Sequence, residues 1–107
     1  MSVIMTMQLR GDPDRLEAFA AENAESMQAI ADKAKEHGLI AHRFYGSDDG
    51  QIMVADEWPD PESFQRFFTE MGPQIGPMME AVGVTEEPRP VFWRKLETGE
   101  DVGWESR

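Results

Sequence analysis

The chain has 107 residues, ten Lys and Arg against twenty-one Asp and Glu, a formal charge of -11 and a hydrophobic fraction of 40%. That length fits one domain with a real core, and acidity on this scale repels nucleic-acid phosphates and anionic lipid, which excludes both as partners. With no cysteine, disulfides, thiol nucleophiles, cysteine-held zinc and iron–sulfur clusters are excluded as well.

Residues 2 to 9, SVIMTMQL, are short and apolar and stop at Arg10-Gly11-Asp12-Pro13, the pattern of a strand followed by a helix start. The opening carries no basic leader and no stretch could span a bilayer, so a cytoplasmic location is expected. Asp12 is placed to cap a helix with Pro13 in its first turn. Leu16, Phe19, Ala20, Met27, Ile30, Ala31 and Ala34 then fall on one stripe of a helix that ends at Gly38, with Glu17, Glu22, Glu25, Asp32 and Lys33 outside. His37 suits the negative end of that helix. Asn23, at the edge of the stripe, fits a local hydrogen bond or a place in a pocket.

Two strand-like runs, 39 to 46 and 51 to 58, flank Ser47-Asp48-Asp49-Gly50, a strong hairpin signal. A second helix opens at Asp60-Pro61-Glu62 and buries Phe64, Phe67, Phe68 and Met71. Gly72-Pro73 and Gly76-Pro77 predict a break, with a short further segment before Gly83. The last strand is expected over 89 to 96, and an acidic tail follows from 97 to 107. The order is β-α-β-β-α-β over a single domain, residues 1 to 96. It predicts an α+β, ferredoxin-like unit with a four-stranded antiparallel sheet. Asp12-Pro13-Asp14-x-Leu16-x-x-Phe19 recurs as Asp60-Pro61-Glu62-x-Phe64-x-x-Phe67, which gives both helices the same cap and buried face.

Strand residues alternate faces, so each strand divides into two sets. Val3, Met5, Met7 and Leu9 form one apolar face. The hairpin carries apolar groups on both: Leu39, Ala41, Tyr45, Ile52, Val54 and Trp58 on one side, Ile40, Phe44, Met53 and Ala55 on the other. Val91 and Trp93 oppose Phe92 and Leu96 in the last strand. Helices cover one face only, so the other needs a second copy, or a tail that folds Trp104 back over it.

Ile52-Met53-Val54-Ala55-Asp56-Glu57-Trp58 followed by Pro59-Asp60-Pro61-Glu62-Ser63-Phe64-Gln65-Arg66-Phe67 resembles the third strand and second helix of the dimeric α/β-barrel superfamily. The likeness is greatest to its small antibiotic-biosynthesis-monooxygenase type. The resemblance implies a homodimer and a pocket between sheet and helices for a small hydrophobic or aromatic ligand. In members that oxidise quinols or degrade haem, that pocket is lined by an Asn on the first strand, a strand-ending Trp and a His in the second helical region. Trp58 stands at the Trp position. The first strand here reads Ile4-Met5-Thr6-Met7, and residues 64 to 82 hold no histidine, which speaks against haem degradation.

Among groups able to carry chemistry, His42 and Glu57 are expected on one face of the hairpin, a general-base pair or else an interface histidine beside a solvated charge. Arg43 and Asp56 are expected on the other, as ligand contacts or a cross-strand ion pair. Trp58, Met5, Phe67 and Met78 are expected to shape a cavity for a flat apolar ligand, or simply to fill the core. No metal site, phosphate loop or dinucleotide fingerprint is present, so no metal or cofactor is expected. Two functions fit: a cofactor-independent monooxygenase, or related isomerase or cyclase, for a small aromatic or polyketide-like molecule; and a non-catalytic dimeric module that binds a small hydrophobic ligand or a partner protein.

Overall fold

A computed structural model of the chain describes residues 1–104. Its elements are β1 (Val3–Arg10), α1 (Pro13–Glu22), α2 (Ala24–Glu36), β2 (Ala41–Gly46), β3 (Gln51–Trp58), α3 (Pro61–Ala81) and β4 (Val91–Trp93). The four strands form one sheet in the order β2-β3-β1-β4, with every neighbouring pair antiparallel. This is the α+β, ferredoxin-like topology expected from the order of elements. Both helix starts also behave as expected. Asp12 accepts the backbone N–H of Asp14 at 2.9 Å, Asp60 accepts that of Ser63 at 2.8 Å, and a proline follows each cap.

Three elements depart from expectation. The first helix is two helices, because at Asn23 the backbone leaves helical geometry (φ -126°, ψ 42°) while its side-chain amide donates to the Phe19 carbonyl at 3.0 Å. An asparagine amide competes in this way for backbone that would otherwise extend the helix. Conversely, α3 runs unbroken for 21 residues through Pro73 and Pro77. A proline ring clashes with the Cβ of the residue before it, and here both preceding residues are glycines. A Cβ built on Gly72 or Gly76 would meet nothing within 4 Å outside its own helix, so these glycines serve their prolines and no packing neighbour. The last strand shrinks to Val91–Trp93, and Leu96 lies beyond it, exposed.

The core lies between the helices and one face of the sheet. Met5, Trp58 and Phe64 are fully buried there, joined by Met7, Val54, Phe67, Met71 and Ile75. A smaller cluster of Leu9, Leu16, Ile52, Val82 and Val84 closes the end near the first cap. The other sheet face carries Ile4, Tyr45, Val91 and Trp93, all exposed. Trp104 is 74% exposed, so the tail does not fold it back as a cover; residues 105 to 107 of that tail lie outside the described residues. Among the described residues no helix is long and apolar enough to cross a membrane.

Candidate functional site

The site is built by the β2–β3 hairpin, and its register is set by the loop. Gly50 adopts φ +86°, and its N–H reaches the Ser47 carbonyl at 3.5 Å while the Ser47 N–H donates to the Gln51 carbonyl at 2.9 Å. Ser47 and Gln51 are therefore already paired. The connection is the three-residue Asp48-Asp49-Gly50 loop with a left-handed glycine, not the four-residue Ser47–Gly50 link that the sequence suggested. A one-residue change of register moves every side chain of one strand to the other face relative to its partner. His42 consequently pairs with Asp56, and Arg43 with Ala55.

This corrects two expected pairs. Glu57 shares the outer face with Ala41 and accepts a hydrogen bond from the Ser2 hydroxyl at 2.5 Å; it does not meet His42. Arg43 also faces outward, where its guanidinium donates to the Tyr45 hydroxyl at 3.2 Å, and it makes no ion pair with Asp56. On the helix side, the His42 Nδ1 lies 2.6 Å from Asp56 Oδ1, and the Trp58 indole Nε1–H donates to Asp56 Oδ2 at 3.1 Å. Asp56 is 6% exposed, so each oxygen of a buried carboxylate has its own partner, as burial of such a group demands. Phe44 meets the His42 ring edge-on at 4.8 Å.

Beside this group lies a cavity of ≈ 100 Å³. Met27, Ile30 and Ala34 of α2 form one wall, and Phe68, Met78 and Met79 of α3 another. Phe67 also borders it, and His42 and Asp56 are the polar side chains among its lining residues. No lysine or arginine is among them, so no permanent cation there would compensate a carboxylate or phosphate on a ligand. Met5 and Trp58 do not line the cavity. Both are fully buried, and Trp58 packs against Phe64 and Phe67 at ring distances of 5.6 and 5.5 Å. They support the site from beneath, in place of the expected contact with a ligand.

The α2 wall is tied to α3 by charge. Glu70 accepts from His37 Nε2 at 2.7 Å and from Lys33 Nζ at 3.4 Å. The His37 hydrogen bond, followed by Lys33, holds the Glu70 carboxyl below its usual range, and Glu36 and Glu70 together raise the Lys33 ammonium. Among the described residues, no group of three or more His, Asp or Glu converges as a metal site.

The sequence reading missed the His42–Asp56 pair and the edge-on Phe44. The missing signal was loop length: counted outward from a three-residue loop, position 42 falls opposite 56 and position 44 opposite 54. Asp56 and Trp58, two apart on one strand, were legible as same-face neighbours without any register.

The structure resembles several solved ones. A monooxygenase of Streptomyces coelicolor in complex with the ligand nanaomycin D superposes with a TM-score of 0.66 at 14% identity, over 89% of this chain and 88% of that one. A candidate antibiotic biosynthesis monooxygenase of Bordetella bronchiseptica gives 0.62 at 14% identity, over 89% and 97%. A dimeric ferredoxin-like protein from an uncultured marine organism gives 0.62 at 12% identity, over 89% and 88%. No protein-family model and no curated protein matches the chain. What the chain shares with these structures is the ferredoxin-like α+β fold.

Proposed function

We propose that the chain is a homodimeric, cofactor-independent monooxygenase in which His42 takes a proton from a small aromatic or polyketide-like molecule held in the apolar cavity. The observation that carries this reading is the His42–Asp56 pair, the polar end of a cavity whose other lining residues are apolar. The monooxygenases among the structural neighbours, one of them holding nanaomycin D, add support at the level of the fold.

In the reaction that fits, His42 removes a proton from an activated methylene, and the electron pair left on carbon adds to dioxygen. The peroxide regains the proton from His42. Loss of the second methylene hydrogen with cleavage of the O–O bond releases water and leaves a carbonyl, so methylene plus dioxygen becomes carbonyl plus water with no outside reductant. An apolar cavity favours a neutral, flat substrate with one acidic position. At ≈ 100 Å³ the cavity is smaller than the ~150 Å³ that holds a benzene ring in an engineered protein core, so a ligand of more than one ring requires the cavity to widen.

The test uses enolisable aromatic ketones and quinols of one to three rings. Under anaerobic conditions, deuterium exchange at the acidic position is followed by NMR; in air, oxygen uptake is followed in parallel. His42→Ala is expected to slow exchange by about 10²–10⁴-fold, the usual worth of a positioned base. Exchange at the wild-type rate in that variant removes His42 from the mechanism. Binding with neither exchange nor oxygen uptake assigns the chain to the non-catalytic ligand-binding module instead.

A further inference from the structure

We infer that Asp56, clamped by the Trp58 indole, is a positioning residue that fixes His42 as the Nδ1–H tautomer and so makes Nε2 the nitrogen able to accept a proton. An ionised carboxylate only accepts hydrogen bonds, and an indole N–H only donates. With Asp56 Oδ1 at 2.6 Å from Nδ1, a neutral His42 must carry its hydrogen on Nδ1. Asp56 cannot turn away from that duty. Its other oxygen is taken by Trp58 Nε1–H at 3.1 Å, and the indole is fully buried and packed against the rings of Phe64 and Phe67. The edge-on Phe44 ring, 83° to the imidazole, borders the other side. Among the described residues Nε2 has no hydrogen-bond partner, and His42 lines the cavity.

The three residues are a chain of orientation that runs from the core outward. Packing fixes Trp58, Trp58 fixes the Asp56 carboxylate, and Asp56 fixes the imidazole. The use of Nε2 in catalysis rests on the function proposed above; the tautomer does not.

Replacing Asp56 by Asn gives a sharp prediction, because Trp58 can only donate. The new amide must turn its oxygen to the indole and its NH₂ to His42 Nδ1, which forces the hydrogen onto Nε2. The chain has two histidines, so ¹⁵N spectra of protein labelled in histidine, assigned with His42→Ala, read the tautomer directly. Recorded above the imidazole titration, the wild type is expected to show Nδ1–H and Asp56→Asn to show Nε2–H. In Asp56→Asn with Trp58→Phe, the amide is free to turn and Nδ1–H is expected to return in part. A wild-type spectrum showing Nε2–H overturns the inference even if no variant folds, and so does one tautomer shared by wild type and Asp56→Asn. A swapped tautomer with undiminished proton exchange on substrate leaves the assignment standing and retires the catalytic role of His42.

Discussion

The Asp56 carboxylate is satisfied by two donors of different kinds, one from the adjacent strand and one from its own strand two residues on. Removing either donor leaves a buried oxygen without a partner, which costs about 1–3 kcal/mol, more than the hydrogen bond itself contributes. Trp58→Phe keeps an aromatic ring against Phe64 and Phe67 but deletes the indole N–H. It is therefore expected to lower unfolding stability by roughly 2–4 kcal/mol, the lost donor plus the smaller ring, as read by urea denaturation. A loss under about 0.5 kcal/mol would mean that Asp56 finds another partner and is not clamped. At this scale the sequence was half legible. Strand alternation put Asp56 beside Trp58, whereas His42 was assigned to Glu57 because the position of a cross-strand neighbour depends on a loop count that Asp48-Asp49-Gly50 leaves ambiguous by one residue.

Among the elements, α2 is one wall of the cavity, and the break at Asn23 separates it from α1. Its tie to α3 is the Lys33–Glu70–His37 cluster. Glu70 has a lowered pKa in the folded chain, so its contribution to stability is present above the unfolded glutamate value, about 4.3, and is lost as the pH falls through the lowered value. Glu70→Gln is expected to melt slightly below the wild type at pH 7, with the gap closing under acid. A melting gap that persists unchanged to pH 3 would remove the ionised carboxylate as its cause. With the tie weakened, the variant is also expected to admit larger rings. The existence and order of the elements were legible from caps and periodicity. The Asn23 break and the unbroken α3 were not, because each turns on a local contest, an amide against a carbonyl and a proline ring against a Cβ that its neighbour lacks.

For the whole molecule, the decisive feature is the sheet face that no described helix covers. Its strand side chains include Ile4, Met53, Tyr45, Val91 and Trp93, and the Trp93 indole is held in place by its hydrogen bond to Thr6 at 2.8 Å. The charged strand residues on this face are Arg10, Arg43 and Glu57, in a chain whose formal charge is -11. The acidity therefore lies elsewhere, and two such faces can meet without a carboxylate-rich interface. Apolar burial would then drive pairing while the net charge of each copy opposes it at a distance. Two consequences follow in opposite directions. Trp93→Asp, which puts a charge on the exposed apolar face, is expected to give monomers by light scattering. Added salt is expected to tighten the wild-type dimer, because screening weakens the mutual repulsion and leaves the apolar contact intact. An interface held by ion pairs would instead loosen as salt rises. A wild-type chain that remains monomeric at micromolar concentration in physiological salt would refute the sheet-to-sheet dimer.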